Sequence, residues 1–172
     1  RTDDEARHRR DVLERARTDP AARAQVDSGR LAEPFWYVDS PLTTPDRRRP
    51  FPGRPPKGDV PLPAPGILVP DCPVRVPGRP DLDRLRRLAR DGVTVLLGDD
   101  VPPARVRLPP GPPIAVHRIR DLDDGGLLAA TLGAKSDEAW VLRPDAHVAA
   151  VVTDPAEVEP AITRALGRRP GG

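Results

Sequence analysis

Residues 140–152, Trp140-Val141-Leu142-Arg143-Pro144-Asp145-Ala146-His147-Val148-Ala149-Ala150-Val151-Val152, carry the clearest local signal in the chain. Two apolar runs flank a polar tetrad with proline at its second position, where the fixed proline φ suits the first central residue of a type I or II turn. The segment predicts a β-hairpin. Asp154-Pro155-Ala156-Glu157 follows at once, a D-x-x-E capping arrangement with proline at the first helical position. It predicts a C-terminal helix carrying Val158, Ile162 and Leu166, which Pro160 should strain or restart in its early turns, with Gly167 and Gly171-Gly172 closing it into a loose tail.

Upstream of the hairpin, from about residue 66, strand and helix patterns alternate. Pro73 to Val76 is a short strand candidate. Asp81 reads as the cap of a helix through Arg90, with Leu82, Leu85 and Leu88 as one apolar stripe and Gly92 as its stop. Val93 to Leu97 is a continuous apolar run, the pattern of a strand buried on both faces. These three elements predict a βαβ unit. Beyond a loop holding Asp99, Asp100, Pro102 and Pro103 come Val106 and a further strand from Pro113 to Ile119, then a helix over 122–132 weakened by Gly125 and Gly126. Apart from the strand at 113–119, the order strand, helix, strand, helix, hairpin, terminal helix is that of a thioredoxin-like α/β domain, expected over residues 59–169.

The first 58 residues have a different texture. Residues 3–17 form a charged helical candidate capped by Asp3 or Asp4, with Val12 and Leu13 almost its only large apolar residues. Asp19, Pro20 and Gly29 mark a second short helix. From 41 to 80 there are 13 prolines in 40 positions, so neither helix nor central strand can persist, and an extended, partly polyproline II strap is expected. Phe35-Trp36-Tyr37, three of the five aromatic residues, stands just before the strap. Such a run is rarely left in water, and it reads as an anchor that docks the strap onto a body, much of it outside this chain; a peptide- or base-stacking platform is the less favoured alternative.

Composition narrows the function. The chain has 172 residues, room for one domain and an appendage but too little for a two-domain cofactor enzyme. It contains no methionine, which leads us to expect a processed product or a piece of something longer. Of 28 basic residues 26 are arginine, yet 26 acids offset them to a net charge of +2. Arginine, alanine, proline and glycine in excess are what a GC-rich coding sequence produces, and a phosphate-binding face needs arginines without interleaved acids. No stretch approaches the roughly 18 apolar residues of a membrane span, and Arg1-Thr2-Asp3-Asp4-Glu5 is unlike a signal peptide. A soluble, cytoplasmic protein without nucleic acid or membrane partners is expected.

Catalytic signatures are missing. The expected loop between first strand and first helix, Val76-Pro77-Gly78-Arg79-Pro80-Asp81, has no C-x-x-C, and the single cysteine, Cys72, reads as a small buried structural residue. His8, His117 and His147 are far apart and read as partly exposed surface histidines rather than ligands. No G-x-G-x-x-G or P-loop is present, and no serine, histidine and acid arrangement suggests a hydrolase. Asp121, Asp123 and Asp124 read as helix caps, and Asp99 with Asp100 as a solvated loop rather than a metal site. No catalytic, cofactor-binding or metal residue is assigned.

Pro65-Gly66-Ile67-Leu68-Val69-Pro70-Asp71 resembles the P-G-x-R-A-P-D entry to the C-terminal domain of FAD-dependent aromatic-ring hydroxylases, the phenol hydroxylase and polyketide hydroxylase group. Trp140 to Ala149 is similar to that group's late hairpin, usually L-V-R-P-D-G-x-V-A. Val26 to Leu31 and Tyr37 to Leu42 resemble the stretch joining flavin body to that domain in 3-(3-hydroxyphenyl)propionate hydroxylases. Leu68 stands where arginine is usual and Ala146 where glycine is usual, so those residues' contacts do not transfer. The family's dinucleotide-binding N-terminus, second flavin motif and substrate pocket have no counterpart here.

The resemblance implies the C-terminal portion of a monooxygenase: residues 1–58 as the tail of the hydroxylase body and strap, then a redox-inactive thioredoxin-like domain. In the family that domain supports the fold and often a homodimer, while FAD, NAD(P)H and dioxygen hydroxylate a phenolic or polyketide aromatic elsewhere. The implied partner is the flavin-binding body of the same enzyme. The rival reading is a free-standing thioredoxin-like binding module whose strap recruits another protein. A third reading, a nucleic-acid binder using Arg47-Arg48-Arg49 and Arg84, Arg86, Arg87 and Arg90, is opposed by the flanking Asp81, Asp83 and Asp91.

Overall fold

A four-stranded mixed sheet organises the larger part of the chain. In the computed structural model, which describes residues 2–22, 36–53, 55, 59 and 61–168, contacts divide the chain into two compact units, residues 1–34 with 56–59 and residues 35–55 with 60–172.

In the first unit, helix α1 spans Asp3–Arg15. Its cap is Thr2 rather than Asp3 or Asp4: the Thr2 hydroxyl accepts from the Glu5 N–H at 3.3 Å, and the Glu5 carboxylate accepts from the Thr2 N–H at 3.0 Å. T-x-x-E satisfies two terminal donors reciprocally, which a lone aspartate at position 3 or 4 cannot do. No residue of α1 is buried. Asp19 caps a second helical turn by accepting from the Ala21 N–H at 2.8 Å, whereas the predicted stop at Gly29 lies outside the described residues.

In the second unit the sheet order is β4-β3-β5-β6, with β3 Val93–Leu97, β4 Ile114–Arg118, β5 Ala139–Leu142 and β6 Val148–Val152. β4 runs parallel to β3, and β5 antiparallel to it. The predicted hairpin is present: β5 pairs with β6 antiparallel, from Ala139 opposite Val152 to Leu142 opposite Val148. Every residue of β3, β5 and β6 is buried, because both sheet faces are covered.

One face carries Leu96, Trp140, Leu142, Val148 and Val151. Packed on it are α2 (Leu85–Leu88), α3 (Ile119–Leu122) and α4 (Leu127–Leu132). The other face carries Val93, Val95, Leu97, Val141 and Val152 under α5 (Val158–Ala165), which contributes Val158, Ala161, Ile162 and Ala165. Full burial of side chains of this size is worth about 1.5–3 kcal/mol each. Asp154 accepts from the Ala156 N–H at 2.9 Å. A 3-10 turn over Pro155–Glu157 precedes α5, so Pro160 falls in the first turn of the helix, where its missing N–H breaks no bond.

Three expectations are corrected. Asp81 caps nothing: Leu82–Arg84 is a strand, β2, paired antiparallel with β1 (Pro73–Arg75), and the helix begins only at Leu85. Val76-Pro77-Gly78-Arg79 is the turn between these strands, with Gly78 at φ +81° and the Arg79 N–H donating to the Val76 carbonyl at 3.0 Å. A Pro-Gly centre is a type II turn signal. Leu85 and Leu88 are buried as the stripe required, but Leu82 is 47% exposed. The βαβ unit fails with it, since β1 pairs only with β2 and β3 lies between β4 and β5. Finally, the single helix over 122–132 is two, α3 and α4, parted by Gly125 and Gly126 at φ +68° and +85°.

The hairpin turn holds position 146 in a backbone conformation that favours glycine. Ala146 has φ +62°, the left-handed region, and is the only described non-glycine residue there. That conformation costs a Cβ-bearing residue about 1–2 kcal/mol, partly offset by the lower unfolded-state entropy of alanine. Ala146→Gly should raise the melting midpoint by about 2–4 °C. An unchanged or lower midpoint in thermal denaturation would mean that the turn stores no strain.

Candidate functional site

The two segments that carry the family resemblance are bonded to each other. Gly66 N–H donates to the Val148 carbonyl at 2.7 Å, Val148 N–H to the Ile67 carbonyl at 2.9 Å, and Val69 N–H to the Ala146 carbonyl at 2.8 Å. Leu68 bridges His147 antiparallel. Residues 66–69 thus cover the start of β6 on the side away from β5. Asp71 finishes the segment by accepting from the Arg86 N–H at 3.1 Å and from Arg84 Nε at 2.9 Å, which ties it to the start of α2.

The aromatic anchor joins the same place. Tyr37 N–H donates to the Gly66 carbonyl at 2.8 Å. The approach is so close that a Cβ on Gly66, at φ +88°, would lie 2.5 Å from the Val38 nitrogen. The Tyr37 ring meets His147 edge-on with centroids 4.8 Å apart, under the Arg143 guanidinium at 5.8 Å. Trp36 packs on Phe51 at 5.5 Å, while Phe35 lies outside the described residues. Trp36 and Tyr37 therefore anchor on this unit itself, where the sequence suggested a body largely outside the chain.

Arg49 completes the clasp. Its guanidinium donates to Glu138 Oε2 at 2.7 Å and to the Gly133 carbonyl at 2.7 Å, and stands 4.8 Å from the centroid of the fully buried Trp140 ring. The Glu138 side chain is 2% exposed, that of Arg49 16%. Glu138 also accepts from the Lys135 N–H at 3.0 Å. Sequence reading grouped Arg49 with Arg47 and Arg48 as a basic run; only an acid directly before a buried strand, Glu138 before Ala139, hinted at its partner. Arg48 pairs with Asp46 at 3.3 Å, Arg84 with Asp71 at 2.9 Å, and Arg79 and Arg87 with Asp83 at 2.8 and 3.6 Å.

The remaining singled-out residues are structural or exposed. Asp123 accepts from the Leu128 and Ala129 N–H groups at 2.7 and 3.1 Å. This commits the helix terminus behind Gly125-Gly126 to a carboxylate, so the terminus does not suit an FAD pyrophosphate. Asp121 and Asp124 are not the caps the sequence suggested: Asp121 lies inside α3 and pairs with Arg120 at 3.6 Å, and Asp124 pairs with Arg75 at 3.1 Å. Asp99 and Asp100 are exposed beside a cavity of about 240 Å³ lined by Gly98, Arg120, Lys135 and Ser136, where Asp100 accepts from the Ser136 hydroxyl at 2.6 Å. Among the described residues no three acids, histidines or cysteines group for a metal.

Cys72 is 3% exposed, and burial pushes its thiol above the ordinary value, so at neutral pH it is a packing residue rather than a nucleophile. His8 is exposed. His147 is 9% exposed, buried by Tyr37 and the strap rather than lying on the surface. His117 is half-buried on β4, and its burial lowers its pKa against the opposing pull of Asp121. No described helix is long and apolar enough to cross a membrane.

No protein-family model matches the chain, and no curated protein matches it in sequence. Solved structures do. Aklavinone-11 hydroxylase, in a ternary complex with FAD and aklavinone, is similar with a TM-score of 0.56 and 21% identity over 75% of this chain and 26% of that one. The flavin-dependent monooxygenase PieE, in complex with FAD and substrate, is similar with a TM-score of 0.60 and 21% identity over 91% of this chain and 32% of that one. The chain thus shares its fold with a part of FAD-dependent aromatic hydroxylases and spans about a quarter to a third of their length.

Two predictions test the clasp and the sheet edge. Arg49→Ala leaves Glu138 buried and unpaired and should cost about 3–5 kcal/mol; Glu138→Ala, which leaves the more exposed partner, should cost less. A denaturation double-mutant cycle should return a coupling of about 1–3 kcal/mol, and strictly additive losses would refute the pair's role. His117 is held below its ordinary value of 6.5. The unfolded chain therefore takes up this proton first, and the stability tied to neutral His117 is intact above 6.5 and lost as pH falls through that value. His117→Gln should flatten the fall in melting midpoint between about pH 7 and pH 5; parallel curves for variant and wild type would count against it.

Proposed function

We propose that this chain is the C-terminal structural and dimerisation part of an FAD- and NAD(P)H-dependent monooxygenase that hydroxylates phenolic or polyketide aromatic substrates. The carrying observation is the clasp: the Pro65–Asp71 segment and the Trp140–Ala149 hairpin, which together mark the resemblance, are one hydrogen-bonded assembly. The fold likeness to parts of two flavin-dependent hydroxylases supports the same reading.

In this reading residues 59–169 are a thioredoxin-like domain and residues 1–58 the tail of the flavin body with its strap. The order β3, β4, helix, hairpin, α5 supports the domain assignment, with only a 3-10 turn over Pro103–Arg105 standing where the first helix would be. The loop that would hold a redox pair is then the one after β3, Gly98-Asp99-Asp100-Val101, and it too contains no cysteine. The role of the segment is to hold and position, not to react. FAD and NAD(P)H would bind the body, which supplies the hydride and oxygen chemistry; we expect none on this chain. Helix α1, none of whose residues is buried, carries Val12 and Leu13 as an apolar patch suited to that body.

The test is to express the natural gene product with and without residues 59–169. The full protein should purify with FAD and oxidise NAD(P)H in the presence of a phenolic substrate, the truncated one should lose solubility or self-association, and the 172-residue chain alone should not take up FAD in a spectroscopic titration. FAD binding by the chain alone, or a full product without flavin, would overturn the reading.

A further inference from the structure

The sheet treats its two edges differently. The outer side of β6 is covered by residues 66–69 and by the Thr44 N–H, which donates to the Ala149 carbonyl at 2.8 Å. The outer side of β4 has no described neighbour: β4 pairs only with β3 and ends the sheet order. Natural proteins rarely leave a strand edge unprotected, because its unpaired N–H and C=O groups template further pairing.

The direction of those groups follows from the ladder. The Pro113 carbonyl accepts from the Val93 N–H at 3.1 Å, so it points toward β3. Backbone groups alternate sides along a strand, which turns those of Ala115 and His117 inward and those of Ile114, Val116 and Arg118 outward. Proline 112 and 113 end the strand on one side, and α3 begins at Ile119 on the other. Val116, at the middle of this window, is 37% exposed and Ala115 is exposed beside it.

We propose that β4 is the dimerisation edge and that its occupant is β4 of a second copy of this chain, antiparallel, about a two-fold axis at Val116. The occupant follows from self-complementarity. With the axis at Val116, every outward residue meets an outward residue: Val116 exchanges both backbone bonds with its own copy, and the Arg118 N–H faces the Ile114 carbonyl on each flank. A two-fold contact requires this kind of self-matching. Side chains agree with the register, since a β-branched pair forms at the axis, Arg118 stands opposite Ile114, and His117 opposite Ala115. No like charges oppose. Shifting the register by two residues leaves one outward group unpaired at each end. The contact is short, so the association is concentration-dependent rather than obligate. This names the surface for the dimerisation role proposed above, and it is measured on the chain alone, so it fails or stands separately from the flavin assignment.

The experiment uses two variants of the full 172-residue chain. Val116→Cys should form a disulfide-linked dimer under mild oxidation, because opposed residues of a hydrogen-bonded antiparallel pair lie about 5.5 Å apart between Cα atoms, within disulfide range. Thr153→Cys, exposed at the far end of β6, should not; buried Cys72 gives little background. Val116→Pro removes only an outward donor, so the ladder with β3 survives, and light scattering across a concentration series should show the dimer lost while the circular dichroism spectrum is kept. If that variant unfolds, Val116→Lys reads the same edge. A chain that stays monomeric at every concentration, cross-linking no better at Val116 than at Thr153, or a dimer indifferent to Val116→Pro and Val116→Lys would overturn the proposal.

Discussion

The contact of Arg49 with Glu138 and Trp140 decides whether the strap belongs to the domain. Glu138 stands at the mouth of β5, almost wholly buried, and without a cation its charge would be left in a low-dielectric setting. Arg49 supplies that cation from outside the sheet, and its flat guanidinium also covers the face of Trp140. The bonds to the Glu138 carboxylate and to the Gly133 carbonyl both leave one guanidinium nitrogen, Nη2, so what lysine would lack is the flat cover over Trp140. The strap is thereby fixed at one point with a directional bond, and neighbouring contacts of lower energy, Trp36 on Phe51 and Tyr37 on His147, gain from that fixation.

A bulge gives the strap its second hold. Val141 opposes Ala150 and Leu142 opposes Val148, so Ala149 has no partner across the hairpin. The extra residue lets Ala149 and Ala150 both face the α5 side, and it frees the Ala149 carbonyl for the Thr44 N–H. The apolar alternation of β6 is broken at the place where the strap needs an acceptor. Gly66 acts from the other side: without a Cβ it admits the backbone of Tyr37 and Val38 to a distance no other residue allows.

What the sequence made legible was local. The hairpin and the buried strand at 93–97 are each set by residues within a few positions of one another and stand in the structure as read, while Asp154 caps a 3-10 turn over Pro155–Glu157 that leads into the helix, without the reciprocal bond from Glu157. Residues 81–84 were illegible for a physical reason. Leu82, Leu85 and Leu88 fit a helical stripe, but pairing with Pro73–Arg75 across the Pro77-Gly78 turn claims Leu82 for a strand. Three leucines cannot outweigh a ladder that the periodicity does not register. The Thr2 cap is legible as T-x-x-E, but the acids at positions 3 and 4 are good local caps as well, and only the geometry separates them. The clasp was half legible: the aromatic run announced an anchor, yet its seat on His147 and Phe51, and the pairing of residues 49 and 138, arise only from the tertiary fold.

The proline content acquires a use in this light, whatever coding bias produced it. A segment laid along a sheet edge must leave few N–H groups without partners, since a half-buried donor that bonds nothing is costly. Proline has no such donor. Among the described residues from Tyr37 to Val69 the backbone donors that meet the clasp are those of Tyr37, Thr44, Gly66 and Val69, and prolines 41, 45, 65 and 70 stand beside or between them without adding any. Their fixed φ also lowers the entropy lost when the strap is laid down. A strap built this way covers an edge without offering a continuous ladder of its own, so the sheet is closed at β6 and any further pairing is directed to β4, where proline marks only the start of the strand.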